Sequence, residues 1–97
     1  MRLMVTGDIF EWRGPAPFLF VAVPDDVCGD IRAAARLVSY GWGVIPATCR
    51  LDVTTWTTSL FPKNGGYLIP IKKIVQTAQR VTAGDVVTIE LLIGEEA

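Results

Sequence analysis

Aromatic and cationic residues are the part of this sequence whose chemistry points to a ligand. Trp56 lies among threonines and Trp42 between two glycines, where an indole could line a pocket. We predict a pocket walled by aromatic rings, with Lys63 or Arg50 at its mouth to hold an acidic group. The predicted ligand-binding residues are Trp42, Arg50, Trp56, Ser59, Phe61, Lys63 and Tyr67. The competing interpretation is that the rings pack in the core, since each can bury roughly 150–250 Å².

Catalytic groups are scarce in the chain. It has no histidine, so the usual near-neutral proton acceptor and the commonest nitrogen ligand of metals are both missing. Ser59 and Lys63 could form a serine–lysine pair, but a serine that hydrogen-bonds within a turn explains the pattern as well. No pair of carboxylates stands out for acid–base catalysis. We therefore expect no catalytic site, no metal and no cofactor, and we lean against an enzyme.

The two cysteines, Cys28 and Cys49, form neither a CxxC pair nor a zinc-binding set. A disulfide between them is one interpretation. The other, which we favour, is a pair of reduced and buried thiols in a cytosolic protein, because free cysteine behaves as a small apolar residue.

Charge is balanced over the whole chain but segregated along it. Nine Lys and Arg against ten Asp and Glu give a net charge of −1, which argues against a general nucleic-acid coat. No acidic residue lies between Asp52 and Asp85, and that stretch contains Lys63, Lys72, Lys73 and Arg80. Such a stretch could form a positive face for an anion or a nucleic acid. Alternatively, interleaved strands mix the charges on the surface.

Length and composition predict one folded domain spanning residues 1–97. The chain is 51% apolar and 20% charged, which argues against disorder. The first residues lack the long apolar segment of a signal peptide. The longest uncharged apolar stretch, residues 14–24, contains three prolines and is shorter than the ~20 residues of a spanning helix. We expect a soluble, cytoplasmic protein that does not bind membranes.

β-branched and aromatic residues predict strands over residues 3–10, 18–23, 44–60, 67–70 and 86–93, with the 44–60 run forming one strand or two. Residues 18–23 are apolar on both alternating faces, which predicts a strand covered on each side. Helix-period apolar residues predict one helix from Asp25 or Asp26 to Val38, stopped by glycines at 40–43. A second helix is predicted from Ile71 to about Arg80, with Ile74 on its apolar face.

A strand–proline–helix–glycine–strand pattern occurs twice, first around Pro24 and again around Pro70. A tight hairpin turn is predicted within residues 61–66, where Asn-Gly-Gly supplies positive φ angles. The repeat indicates two related halves. The predicted fold is therefore mainly β: a small closed β-barrel of about six strands with two short helices and pseudo-duplicated halves.

Two short blocks carry a family resemblance: TWTTSLFPK at residues 55–63, and GYLIPIKK at 66–73 with Gly84-Asp85 beyond it. Further matching positions are Trp12, Val23-Pro24 and Trp42-Gly43. By these residues the chain resembles a bacterial small-barrel family, the domain of unknown function numbered 1905, found alone or fused to bacteriocin-protection-type domains. It departs at Gln76 and Gln79, where the family often has an arginine and an acidic residue. The resemblance implies a compact β-barrel with two helices and no established activity.

Residues 68–87 are also similar to the half-barrel of swapped-hairpin transcription regulators and antitoxins, which bind DNA as dimers. Those proteins complete a barrel from two chains, whereas this chain carries both halves. Their basic N-terminal strand is missing, because Arg2 is the only cation before Arg13.

Two functions follow as hypotheses. The first is a non-enzymatic module, a monomer or weak dimer, that binds a small anionic ligand or a protein partner through an aromatic and cationic site. The second is a nucleic-acid-binding protein related to the swapped-hairpin regulators.

Overall fold

The computed structural model describes residues 2–12, 18–38, 45–63 and 65–93 of the chain. Within these residues the elements are β1 (Arg2–Trp12), β2 (Phe18–Ala22), α1 (Asp25–Val38), β3 (Ile45–Leu51), β4 (Thr54–Lys63), β5 (Gly66–Ile71), α2 (Lys73–Gln79) and β6 (Val86–Leu92). None of the helices described here is long and apolar enough to cross a membrane.

The strands form a closed antiparallel barrel in the order β1-β2-β5-β4-β3-β6, with β6 returning to β1. Closure pairs each strand on both sides and so removes the exposed edges that invite aggregation. The predicted fold, a mainly-β closed barrel of six strands with two helices, is confirmed.

β1 pairs with two strands along its length: residues 2–8 pair with β6, and residues 9–12 pair with β2. Gly7 lies at this change of partner. A Cβ atom on Gly7 would lie 3.1 Å from Cγ1 of Val21 and 3.3 Å from the carbonyl oxygen of Ala22. Glycine therefore allows β1 to pass close to β2 where the barrel wall turns.

The barrel consists of two topologically equivalent halves. Exchanging β1-β2-β3 with β4-β5-β6 leaves every strand neighbour unchanged, and each half has its helix after its second strand. Val21 pairs with Ile69, and each lies four residues before the first residue of its own helix. A pseudo-twofold axis therefore passes between β2 and β5 at this pair.

Trp56 closes a gap in the barrel wall. The described pairing of β4 with β5 ends at Phe61 and Leu68, so no backbone N–H of β4 is paired with the carbonyl of Pro70. The buried Trp56 indole donates its Nε1–H to that carbonyl at 3.2 Å. The indole ring packs in the core, and its N–H supplies the hydrogen bond that the Pro70 carbonyl would otherwise lack, as is usual for buried indoles.

Several element boundaries differ from the prediction. Of the two alternatives predicted for residues 44–60, the structure has the second: β3 and β4 are separate strands, divided by a turn at Asp52, whose φ is 55°. β4 continues through Phe61 and Lys63, which were assigned to the hairpin turn; the turn itself closes at the pair Lys63–Gly66. Asn64 and the predicted helix stop at 40–43 lie outside the described residues.

The predicted apolar face of the second helix was also wrong in one position. Ile74 is 71% exposed, whereas its neighbour Val75 is fully buried. α2 has seven residues, so it has room for only a narrow contact with the barrel. Val75 occupies that contact and turns Ile74 toward solvent.

Both cysteines are free and buried, which confirms the interpretation as reduced thiols. Cys28 donates a weak hydrogen bond to the carbonyl of Val23 at 3.5 Å. Burial raises the pKa of the Cys49 thiol to about 12, and the positive charge of Lys72 opposes this only in part. Cys49 therefore stays protonated in the folded barrel.

The raised pKa of Cys49 predicts a loss of stability in alkali. In the unfolded chain the thiol ionises near its ordinary value of 9.0, whereas the folded protein keeps the proton until about 12. The protonated Cys49 thiol therefore makes its full contribution to the free energy of unfolding below pH 9.0, and this contribution is lost as the pH rises toward 12. In urea unfolding, the stability difference between wild type and Cys49→Ala should shrink by about 1 kcal/mol between about pH 8 and about pH 10. A difference that stays constant would contradict the buried, protonated thiol.

Candidate functional site

The outer faces of β2 and β5 are apolar. On β2, Leu19 and Val21 belong to the core, so the alternating residues Phe18 and Phe20 lie on the outside of the barrel. Phe20 pairs with Pro70 of β5, which continues the apolar surface across the two strands.

Phe20 is the centre of an aromatic cluster on this outer wall. Its ring lies 6.2 Å from Phe10, 6.4 Å from Phe18 and 6.2 Å from Phe61, measured between centroids. The contact with Phe61 is edge-to-face, at an interplanar angle of 78°, and reaches from β2 to β4 over β5. These rings leave Phe20 only 8% exposed although it is outside the barrel core.

A groove of about 1170 Å³, which we call the outer groove, runs over this cluster. Its lining residues are Glu11, Trp12, Phe18, Phe20, Thr58, Phe61, Pro62, Lys63, Leu68, Pro70, Ile71, Lys72, Lys73 and Gln76. Three of its rings remain open to solvent: Trp12 is 44% exposed, Phe18 54% and Phe61 45%. The groove thus presents aromatic surface that the described part of the chain does not cover.

The charge of the outer groove differs in sign from that of the chain. The lining contains three lysines, Lys63, Lys72 and Lys73, and one carboxylate, that of Glu11. Its net charge is therefore +2, whereas the net charge of the whole chain is −1. The side chains of these lysines make no ion pair or hydrogen bond with any residue that the structure describes. Their charge is therefore available to an anion.

Cations occupy both ends of the groove. Lys63 pairs with Gly66, the first residue of β5, and Lys72 directly follows Ile71, the last residue. Lys72 lies six positions after Gly66, which corresponds to about 20 Å along an extended chain.

Each end of the groove also has its own aromatic surface. Phe61 pairs with Leu68 near the Lys63 end. Leu19 pairs with Ile71, so the preceding Phe18, together with its partner Trp12, lies near the Lys72 end. An aromatic and cationic unit therefore occurs twice along β5.

Two glutamines fix α2, the helix that begins at Lys73, directly after Lys72. Gln76 donates its Nε2–H to the carbonyl of Ile71 at 2.9 Å, and Gln79 donates to Oγ1 of Thr54 at 2.7 Å. They anchor α2 to β5 and β4 and so hold Lys72 and Lys73 at the groove.

The structure brings two of the predicted ligand-binding residues, Phe61 and Lys63, into the outer groove. Ser59 is on the same strand, but four residues of extended chain place it about 13 Å from Lys63, too far for a serine–lysine pair. Trp42 lies outside the described residues.

The remaining predicted residues lie elsewhere. Trp56 is part of the core, and Tyr67 packs against that core. Arg50, on β3, donates its Nε–H to the carbonyl of Asp52 at 2.8 Å and does not line the groove. Trp56, Phe61 and Tyr67 therefore do not form one pocket.

Sequence reasoning missed Trp12, Phe18 and Phe20 as candidate site residues, and it named Lys72 and Lys73 only as part of the acid-free stretch. One signal was present, because residues 18–23 were recognised as apolar on both faces. That pattern was taken for a strand covered on each side. In the structure the outer side of β2 is the aromatic wall of the groove, with Phe18 more than half exposed.

Fold and site together define the class of protein: a small single-chain β-barrel of two similar halves, with an aromatic groove on its outer wall. Residues 6–91 match the model of a family described as a domain of unknown function, DUF1905, and the chain belongs to that family. The resemblance seen in the sequence is thereby confirmed. No match is found among the curated proteins.

The position of Trp56 predicts a role in stability alone. Trp56→Phe keeps most of the ring but leaves the Pro70 carbonyl without its donor, which should lower the free energy of unfolding by about 1–3 kcal/mol. Urea denaturation measures this loss. Binding of an aromatic anion to the folded variant should equal that of wild type, because Trp56 does not line the outer groove. Weaker binding at unchanged stability would place the indole in the site.

Proposed function

We propose that this barrel is a non-enzymatic binding module whose outer groove takes a ligand with a flat apolar body and acidic groups. The observation that carries the proposal is the combination, in one groove, of three half-exposed rings and three lysines whose side chains pair with none of the described residues. Contiguous apolar surface rimmed by polar groups is typical of binding sites.

The aromatic rings supply the affinity for the apolar body. A ligand lying on Phe18 and Trp12 removes ring surface from water, and about 100 Å² of such surface contributes about 2.5 kcal/mol. The rings need no rearrangement, because Phe18 already contacts Phe20 and Trp12 pairs with Phe18 across the strands.

The lysines supply the preference for an anion. Each lysine is a compact charge on a flexible stem, which attracts carboxylates, sulfonates and phosphates without imposing a fixed geometry. Glu11 pairs with Leu19, whose other partner is Ile71, so this carboxylate lies at the Lys72 end and offsets part of the positive charge there.

The two buried free thiols, Cys28 and Cys49, support a reducing location, so we place the module in the cytoplasm. Nucleic-acid binding is the second candidate function, and one observation favours it. All three lysines of the groove belong to the acid-free stretch between Asp52 and Asp85.

A fluorescent aromatic sulfonate, 8-anilinonaphthalene-1-sulfonate, tests the proposal on the folded protein. Phe18→Leu should weaken its binding by about fivefold or more, because the exposed ring is lost. Phe10→Leu is the matched control: Phe10 also contacts Phe20, but it does not line the groove, so binding should stay within about twofold.

Thermal unfolding of both variants establishes that they are folded during the titration. Equal binding by the two variants, or no binding by wild type, would refute a site in the outer groove.

A further inference from the structure

We propose that the occupant of the outer groove is a single strand of nucleic acid, lying extended along β5. This inference rests on the proposed function and names the ligand of the same site. Three features of the groove support it: the length, the repeated aromatic and cationic units, and the number of lysines.

The length of the groove favours an extended occupant. Lys63 and Lys72 are attached at positions about 20 Å apart along β5. A small anion with one acidic group reaches the cations of only one end. A chain with regularly spaced acidic groups reaches both.

The rings favour a chain that carries flat bases. Phe61 near one end, and Phe18 with Trp12 near the other, expose their surfaces in the groove between its cations. Aromatic side chains that follow a positively charged groove are the common means of binding single strands, because every base has a face that can stack. The phosphates between the bases then lie near Lys63, Lys72 and Lys73.

A single strand satisfies these groups better than a duplex. In a duplex the bases stack on each other, so Phe18 and Phe61 would have no base face to contact. A duplex also carries about twice the phosphate charge of a single strand per unit length, so the three lysines of the groove neutralise a smaller share of it. Glu11, beside Trp12, repels a phosphate but can accept a hydrogen bond from an amino group of a base.

Fluorescence anisotropy of the full chain with a labelled thymidine oligonucleotide of roughly eight residues tests the proposal. We expect the logarithm of the association constant to fall linearly with the logarithm of the salt concentration, with a slope of about −2. Each phosphate contacted by a lysine contributes about −0.7 to this slope. Lys63→Gln should reduce the slope to about −1.4. Arg2→Gln removes a cation that pairs with Glu90 away from the groove, and it should leave the slope unchanged.

The ring variants provide the second arm. Phe61→Leu and Phe18→Leu should each weaken oligonucleotide binding by about fivefold or more, and Phe10→Leu by less than about twofold. If each of these two single substitutions weakens oligonucleotide binding, the occupant reaches both ends of the groove.

The naphthalene sulfonate separates the two proposals. If it binds in a Phe18-dependent way but the oligonucleotide does not bind, the nucleic-acid proposal is overturned and the binding module stands. If neither binds, both are overturned. A duplex of the same length, or an acidic tyrosine-containing peptide, that binds as tightly as the single strand would also overturn the choice of occupant.

Discussion

The pairing of β2 with β5 is the interaction on which the rest of this structure depends. It joins the two halves of the chain at Val21 and Ile69, whose side chains are buried in the barrel core. The same pairing places Phe20 beside Pro70 on the outer wall. Closing the core and building the groove are therefore two consequences of one strand pair, because side chains alternate between the faces.

The pseudo-twofold arrangement explains why Phe20 has an aromatic neighbour on each side. Phe10 and Phe61 occupy equivalent positions in the two halves, and both rings contact Phe20. The equivalent of Phe18 in the second half is Gly66, which has no side chain. A Cβ atom on Gly66 would lie 3.6 Å from the Sγ of the buried Cys28, so this position of the second half adds no ring to the groove.

Local signals in the sequence were enough to predict the two halves and the barrel, because Pro24 and Pro70 each come shortly before a helix and β-branched runs mark the strands. The buried thiols could be predicted because free cysteine behaves as a small apolar residue. The site was harder to predict, since Phe18 and Phe61 meet only through a strand order that no local pattern contains. Trp56 was misplaced for another reason. Exposed Thr55 and Thr57 flank it, and this alternation indicates an inward indole, but the polar neighbours were taken to indicate exposure.

Amide chemical-shift mapping of the folded protein with a single-stranded oligonucleotide tests the account most directly. We expect the largest shifts along β2 and β5 and at Lys72 and Lys73, where the outer groove lies. Saturable shifts centred on β3 and β6, around Arg50 and Thr88, would contradict the account, because those strands form the opposite wall of the barrel.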